Sequence, residues 1–289
     1  DHHGGRLDHK TTFKQAILLM TKARPSAKKH LGQNFLVNPR IITRILDAVE
    51  PSAKDTILEI GAGPGAMTRP LIERGARIIA VEKDPGLIKA LHSRNDLQTD
   101  QLRIIEADIL TLSASDLAGA TKIFGNIPYN ISTPIIEWLI KNRAGVSDVF
   151  LMTQLEFGQR LTAEPFSKDY GALTCLIQYF ADLKILFKIP NTAFSPVPKV
   201  SSCFLKFTFR QPEPRALDEE LLFTVTRAAF QNRRKKIANS LGSVLKKEET
   251  HAIFSDCRID PQLRADQISI SDYVQLTNWL AKTREKAKK

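Results

Sequence analysis

The first half of the chain alternates short apolar runs with segments of helical spacing. Apolar residues between Pro39 and Val49 recur every three or four positions, which predicts a helix before the first strand. Further strands and helices are predicted in alternation, with strands over 56–60, 77–81, 102–106 and 121–124 and helices over 66–74 and 85–92. Strands that alternate with helices predict a parallel sheet covered on both faces, and therefore an α/β fold.

The pattern changes after Gln211-Pro-Glu-Pro214, a segment typical of a linker. Before it, strands are predicted over 147–151, 183–189 and 202–209, with a helix over 173–180. After it, every periodic segment is helical, near 217–230, 233–246, 248–256 and 271–284. We predict an α/β domain over 28–210 and a small all-helical domain over 211–289. Residues 1–27 form an N-terminal extension with a possible tag remnant, DHHGGRLDHK, and a short basic helix.

Composition narrows the class of protein. The chain has 289 residues, of which 43% are hydrophobic, and this content excludes wholesale disorder. No apolar run approaches the roughly 18 residues that a membrane span needs, so we expect no integral membrane protein. The chain has three cysteines, which lie far apart and form no CxxC motif, and no metal site is expected.

The basic residues are clustered. Lys and Arg number 42 against 31 Asp and Glu, a formal net charge of +11. Eight of the basic residues lie between His9 and Leu46 and seven between Arg227 and Lys247, and neither run contains an acid. A single run of this kind is as well explained by a solvated helix face, but two of them favour a surface that binds nucleic-acid phosphates.

A glycine loop follows the strand over 56–60. Gly61, Gly63 and Gly65 stand between that strand and a helix, and Glu82 ends the next strand, 21 residues after Gly61. Glycines let a ligand approach backbone N–H groups closely, and a carboxylate at this spacing binds ribose hydroxyls in nucleotide-binding βαβ units. The loop also fits G-x-G-x-x-A with Ala66, so it leaves NAD, or a ligand-free tight turn, as alternatives.

Two polar segments follow the third and fourth strands. Asp108 is placed to bind the exocyclic amine of an adenine, although a helix cap is the commoner role for a lone Asp. Asn126-Ile-Pro-Tyr129 lies where open α/β sheets bind ligands. The Asn126 Oδ1 and Ile127 carbonyl oxygens could accept both hydrogens of an adenine N6 amine, with Pro128 fixing the backbone and Tyr129 stacking on the base. This segment favours adenine methylation over NAD chemistry.

At this point the sequence resembles the ribosomal RNA adenine N6,N6-dimethyltransferase family. The resemblance extends from about Lys28 to Leu280 and rests on four motifs. They are His30-Leu-Gly-Gln-Asn-Phe-Leu36, Glu59-Ile-Gly-Ala-Gly-Pro-Gly65, Gly125-Asn-Ile-Pro-Tyr-Asn-Ile-Ser-Thr133 and Phe194-Ser-Pro-Val-Pro-Lys-Val-Ser201. It implies a Rossmann-like class I methyltransferase domain, S-adenosylmethionine as methyl donor and an enzyme that binds rRNA during ribosome biogenesis.

The resemblance also implies roles for individual residues. The predicted cofactor site comprises Asn34, Leu36, Gly61, Gly63, Glu82, Asp108 and Asn126. The predicted catalytic set comprises Asn126, Ile127, Pro128, Tyr129 and Phe194, where Phe194 would give the target base a second stacking face. A basic helix with Arg233, Arg234, Lys235 and Lys236 is expected to contact rRNA phosphates.

Two branches of the family share these motifs. Phe230 to Leu241 resembles the branch that dimethylates two adjacent adenosines near the 3′ end of small-subunit (16S) rRNA. The other branch, the large-subunit macrolide-resistance enzymes, and a non-catalytic assembly factor remain alternatives. Leu155 stands where the family usually has a basic residue, which weakens an RNA contact there. We expect a monomeric cytoplasmic protein, or an organellar one if the extension is a transit segment.

Overall fold

The structure is a computed structural model that describes residues 33–117 and 119–287, so the extension over 1–27 and its expected helix lie outside the described residues. The strands are β1 (Phe35–Leu36), β2 (Thr56–Ile60), β3 (Arg77–Glu82), β4 (Leu102–Glu106), β5 (Lys122–Asn126), β6 (Asp148–Gln154), β7 (Ala181–Ile189), β8 (Phe194–Ser195) and β9 (Ser202–Phe209). The α-helices are α1 (Pro39–Val49), α2 (Thr68–Glu73), α3 (Pro85–His92), α4 (Ser132–Lys141), α5 (Leu155–Leu161), α6 (Ala172–Phe180), α7 (Glu219–Gln231), α8 (Ile237–Ser240), α9 (Lys247–Asp256) and α10 (Ile270–Lys286).

The main sheet has the strand order β4-β3-β2-β5-β6-β9-β7. The five strands from β4 to β6 are mutually parallel, which confirms the predicted α/β class. Strand β2 lies between β3 and β5, so the chain order reverses beside it. In open α/β sheets the crevice at the carboxyl ends of the strands on either side of such a reversal binds ligands.

The hydrophobic core around the main sheet explains why these segments fold as predicted. The apolar face of α1 is buried through Ile42, Ile45, Leu46 and Val49. The Asn38 side chain caps this helix by accepting hydrogen bonds from the Arg40 and Ile41 N–H groups. Among the strands, the Phe204 ring lies 5.9 Å from the Phe150 ring and 5.2 Å from the Phe187 ring.

A second, two-stranded sheet ties the segment before α1 to the segment before β9. Leu36 in β1 pairs antiparallel with Phe194 in β8, and Phe35 pairs with Ser195. The Val37 N–H donates to the Ala193 carbonyl oxygen over 2.8 Å, which extends the pairing by one bond. These hydrogen bonds fix the position of the segment from Phe35 to Val37, which precedes α1.

The chain divides into two units whose limits differ from the predicted domain boundary. One contains the described residues up to Leu155 and Ile185–Lys206, and the other contains Glu156–Lys184 and the chain from Phe207 onwards. Residues 156–184 belong with the C-terminal helices because α6 packs on α7, where the Phe180 and Phe223 rings are 6.1 Å apart. This packing could not be predicted from the sequence, because β7, β9 and the linker separate α6 from α7 along the chain.

Two predicted helices differ from the structure. The glycine turn extends to Met67, so α2 begins at Thr68 instead of Ala66. The predicted helix over 233–246 is wrong in its first part, because Arg233 to Lys235 lie in a turn and the backbone of Lys236 pairs with Arg264 as a β-bridge. Only Ile237–Ser240 is α-helical there. In the part of the chain that the structure describes, no helix is both long and apolar enough to cross a membrane.

Candidate active site

The carboxyl ends of β2, β3 and β5 open into one cavity in the first unit. The structure brings together there nearly all of the residues predicted for the cofactor and for catalysis. These are Asn34, Leu36, Gly61, Gly63, Glu82, Asp108, Asn126, Ile127, Pro128 and Tyr129. Residues from five separate segments of the chain therefore line one continuous site, as expected for strand ends that meet at one edge of a sheet.

The glycine turn requires glycine at defined positions. Gly63 has a φ of 58° and Gly65 a φ of 81°, values that other L-residues rarely adopt. A Cβ on Gly65 would also lie 3.0 Å from Arg94 Nη1 and from Leu91 Cδ2. The backbone of the turn therefore lines the cavity directly. The Gly63 N–H donates a hydrogen bond to Glu82 Oε2 over 2.9 Å.

Glu82 is held by backbone groups. Besides the Gly63 N–H, its Oε1 accepts hydrogen bonds from the N–H groups of Lys83, at 2.9 Å, and Asp84, at 3.0 Å. A carboxylate has about four lone-pair sites, so three backbone bonds leave room for a ligand hydroxyl. The carboxylate is therefore fixed in place before any ligand binds.

Asp108 caps a 3₁₀ turn and also lines the cavity. Its Oδ1 accepts a hydrogen bond from the Leu110 N–H over 3.0 Å and caps the 3₁₀ turn Ile109–Thr111, which confirms the helix-cap interpretation. Its Oδ2 lies 3.4 Å from Lys83 Nζ, and the same side chain lines the cavity. Capping orients the carboxylate without removing it from the site.

Asn126 is the last residue of β5, and its amide has a defined orientation. Its Nδ2 donates to the Asn34 backbone oxygen over 2.8 Å, so the acceptor Oδ1 is the atom that this bond does not use. The next residue, Ile127, donates its N–H to the Met152 oxygen over 3.0 Å. These bonds anchor the start of the Asn-Ile-Pro-Tyr segment to β6 and to Asn34, the residue before β1.

Tyr129 is fixed at its hydroxyl end. The hydroxyl oxygen lies 2.9 Å from Ser202 Oγ, a buried group at the start of β9. Burial is the main cause that raises the pKa of the Tyr129 hydroxyl above its usual value, so the side chain is neutral at physiological pH. The ring is half-buried and remains available to the cavity.

Phe194 is the predicted catalytic residue that does not line this cavity. It is only 2% exposed, pairs with Leu36 in the small sheet and packs in the hydrophobic core. Its stacking role stays a prediction. For the Phe194 ring to reach a bound base, the loop around β8 would have to move.

Glu59 lines the cavity, although no role was predicted for it from the sequence. The side chain is 2% exposed, and Thr68 Oγ1 donates to its Oε2 over 2.6 Å. Burial raises the pKa of this carboxyl group to about 8, and the nearby negative charge of Glu82 also raises it. The presence of an acidic residue within an otherwise apolar strand is the feature of the sequence that could have indicated a role for Glu59.

The composition of the cavity fits S-adenosylmethionine. Apolar side chains such as Leu36, Val81 and Ile109 offer walls to an adenine ring, and the glycine turn leaves space for a backbone-bound nucleoside. The carboxyl groups of Glu82 and Asp108 line the same cavity and suit a ligand with a positive sulfonium and an ammonium group. The residues present therefore match this cofactor in shape and charge.

The four basic residues predicted to contact RNA lie in the second unit. They differ in whether their side chains are bonded within the protein. The Arg233 guanidinium donates from Nη2 to the Ser167 carbonyl oxygen and contacts Asp266 Oδ2, each over 3.2 Å. Arg234, Lys235 and Lys236 are exposed. Arg233 thus has a structural role, whereas the other three are available to an anionic partner.

The fold and the cavity together define a class I, S-adenosylmethionine-dependent methyltransferase. A protein-family model described as ribosomal RNA adenine dimethylase matches residues 24–282. The chain belongs to the ribosomal RNA adenine dimethylase family.

Curated relatives have similar lengths. The chain is 42% identical over 256 residues to "Ribosomal RNA small subunit methyltransferase A" of Aromatoleum aromaticum, covering 88% of this chain and 94% of the relative. It is 34% identical over 287 residues to the protein of the same name from Moorella thermoacetica, covering 95% of this chain and 99% of the relative. Both similarities cover most of this chain and nearly all of the relative.

Solved structures show the same fold. A dimethyladenosine transferase from Plasmodium falciparum superposes with a TM-score of 0.76 at 22% identity, over 86% of this chain and 98% of that one. The 23S rRNA methyltransferase ErmE superposes with a TM-score of 0.66 at 24% identity, over 86% of this chain and all of the other.

Proposed function

We propose that this enzyme dimethylates the N6 amines of two adjacent adenosines near the 3′ end of small-subunit (16S) rRNA, as part of small-subunit assembly. The observation that carries the proposal is the Asn126-to-Tyr129 segment, which lines the same cavity as the glycine turn and Glu82. The name and near-complete coverage of the curated relatives support the small subunit as the substrate.

The proposed cofactor site uses groups that are already oriented. Glu82 would accept hydrogen bonds from the ribose, Asp108 would accept from the adenine amine, and Asn34 and Leu36 would contact the nucleoside. Gly61 and Gly63 would allow the backbone to approach it. When bound, S-adenosylmethionine supplies an electrophilic methyl group.

The residues around Asn126 would activate the target amine. The lone pair of an adenine N6 is delocalised into the ring, so this nitrogen is a poor nucleophile. Accepting its two hydrogens at Asn126 Oδ1 and at the Ile127 carbonyl oxygen would localise the pair on the nitrogen. Tyr129, held by Ser202, would stack on the base and stabilise the positive charge that develops there.

The substrate base has to leave its stack to enter such a cavity. The exposed Arg234, Lys235 and Lys236 would bind rRNA phosphates and supply affinity that does not depend on the reacting base. A monomeric, cytoplasmic enzyme belongs to the same proposal. The organellar alternative is not borne out by the relatives.

Labelled methyl transfer to purified, unmethylated small and large ribosomal subunits tests the proposal, with the product nucleosides identified by mass spectrometry. We expect dimethyladenosine in small-subunit RNA. Label in large-subunit RNA would instead place the enzyme with the macrolide-resistance branch. Cofactor binding without label in either RNA would contradict the catalytic assignment and favour an assembly factor.

A further inference from the structure

We propose that Phe166 is a stacking platform for an unpaired base of the RNA substrate, at a distance along the chain from the methylation site. The platform lies in the second unit beside a group of exposed basic residues, which we call the cationic surface. Its members are Lys168, Arg234, Lys235, Lys236 and Arg264. The inference rests on the proposed function, because it takes RNA as the substrate.

Phe166 has an unusual conformation for an aromatic residue. Its side chain is 69% exposed, and its backbone has a φ of 70°. The left-handed region is unfavourable for a bulky L-residue, and an exposed ring gains little from the core. The position therefore carries an aromatic group that the stability of the fold does not require.

Hydrogen bonds hold the loop around Phe166 in place. The Phe166 N–H donates to the Asp266 backbone oxygen over 2.7 Å. The Arg233 guanidinium bonds the carbonyl oxygen of the next residue, Ser167, and also the carboxylate of Asp266. The ring is thus presented from a loop that is attached on both sides to the 3₁₀ turn Ala265–Gln267.

The same turn connects the loop to the cationic surface. Arg264, directly before the turn, pairs with Lys236 through a β-bridge, while Asp266 within it binds Phe166. The acids nearby are Glu164, which is exposed on the loop, Asp169, which is half-buried, and Asp266, which is paired with Arg233. Exposed basic groups therefore outnumber exposed acids around the ring.

An aromatic face next to exposed basic groups matches single-stranded RNA. Unpaired bases stack on aromatic side chains while Lys and Arg bind the backbone, and this combination is used without sequence readout. A protein partner would contact the ring only where protein is present, whereas a base would stack on it in deproteinised RNA as well. The two classes of partner can therefore be distinguished by comparing binding to the particle with binding to deproteinised RNA.

The test is equilibrium binding of the full chain to deproteinised small-subunit rRNA and to the unmethylated small-subunit particle. We expect Phe166→Ala to weaken binding to both by about 5- to 100-fold, since stacking is typically worth that much per base. Phe166→Leu should be as weak as Phe166→Ala, and Phe166→Trp should bind within about two-fold of wild type. The matched control is Leu217→Ala, which removes another exposed apolar side chain (62% exposed) from the same unit and should change nothing.

Two further readouts separate stacking from other effects. The dependence of binding on salt should be the same in Phe166→Ala as in wild type, because no charge is removed. Phe166→Gly should weaken RNA binding while keeping the melting temperature at or above that of wild type, because glycine relieves the strained backbone.

The inference is overturned if Phe166→Ala binds RNA as wild type does, or if Phe166→Leu restores binding. Weakened binding to the particle with unchanged binding to deproteinised RNA would also overturn it and point to a protein contact. Methyl transfer by the wild-type chain, measured in parallel, separates the two proposals. If the wild-type chain transfers methyl groups to small-subunit RNA and the Phe166 variants bind RNA as wild type does, only this inference is contradicted. If the wild-type chain transfers no methyl group to small-subunit RNA, the proposed function is contradicted.

Discussion

The cavity in the first unit and the cationic surface in the second differ in how their polar groups are held. In the cavity, Glu82 accepts three backbone hydrogen bonds, the Asn126 amide is bonded to a backbone oxygen, and the Tyr129 hydroxyl meets Ser202. On the cationic surface, Lys235 and Lys236 extend into solvent. Fixed groups are what a reaction needs, because donors and acceptors that are already oriented need no reorganisation when charge develops. Mobile charges suffice for binding phosphates.

Arg233 shows that charge alone does not identify the binding residues. It stands in one run with Arg234 and Lys235 in the sequence, yet its guanidinium is bonded to Ser167 and Asp266. The comparison therefore predicts different consequences for substitutions in the two regions and even for neighbours within one run.

The largest effect is expected for Asn126→Ala. Removing Oδ1 deletes one of the two proposed acceptors for the N6 hydrogens, and we expect the rate of methyl transfer at saturating substrate to fall by roughly 10³-fold. Binding to rRNA should remain within about two-fold of wild type, because the phosphate contacts lie elsewhere. The rate is measured by single-turnover transfer and the affinity by filter binding.

The matched control is Asn142→Ala, whose Nδ2 also donates to a backbone oxygen, that of Trp138, but which does not line the cavity. This variant should keep nearly full activity. Full activity of Asn126→Ala would contradict the proposed chemistry.

Replacing Arg234, Lys235 and Lys236 by Gln should lower the affinity for rRNA. We expect the dissociation constant for rRNA to rise by about 10-fold at physiological salt, and the slope of log affinity against log salt to fall by about two to three units. Replacing Lys54, Arg77 and Lys89 by Gln removes the same charge from the first unit and should leave the slope nearly unchanged. Equal slopes in both triple variants would exclude the cationic surface from the interface.

Arg233→Gln should instead lower stability. The substitution removes the hydrogen bond to Ser167 and the ion pair with Asp266, whose Oδ1 has no hydrogen-bond partner among the described residues. We expect a loss of about 1 kcal/mol in the free energy of unfolding, measured by denaturant titration, and a salt slope close to that of wild type.

Glu59 predicts a dependence of stability on pH. The pKa of its carboxyl group is about 8 in the folded chain, against an ordinary value of 4.5. The folded state therefore binds more protons than the unfolded state between these values, and stability falls as pH rises through this window. The Glu59 contribution should fall by about 2 kcal/mol between pH 6 and pH 8. Glu59→Gln, which stays neutral, should lose this part of the slope in thermal unfolding, and an unchanged slope would contradict the burial argument.

A modest effect on the reaction is expected for Ser202→Ala. Losing the hydrogen bond to Tyr129 should reduce methyl transfer by about five-fold, the effect of one hydrogen bond of about 1 kcal/mol. Tyr129→Phe should have a similar effect, and the double variant should be no worse than either single variant. Ser201→Ala, at the exposed neighbouring position, is the control. Additive losses in the double variant would show that the two hydroxyl groups act separately.

Much of the first unit follows from the sequence because local and long-range signals agree there. Strand ends of a parallel sheet meet at one edge, so the spacing of Gly61, Glu82, Asp108 and Asn126 was enough to place them together. The bond between Asn126 and Asn34 could not be predicted, since it joins segments 92 residues apart through a backbone oxygen. The burial of Phe194 in the core also depends on the pairing of β1 with β8, which two-residue strands do not signal.

The second unit was less predictable. A run of basic residues with apolar neighbours favours a helix, but the pairing of Lys236 with Arg264 turns the chain instead. The exposure of Phe166 had no signal either, because an isolated Phe in a sequence normally indicates a core position.

The central claim is that chemistry and RNA binding are carried by different sets of residues. Its most direct test is the rate of methyl transfer by the Arg234, Lys235 and Lys236 to Gln variant at saturating small-subunit particle. We predict a rate within about two-fold of wild type, since these residues contribute affinity and not orientation of the reacting base. A rate at saturation as low as that of Asn126→Ala would contradict the claim and make the cationic surface part of the catalytic site.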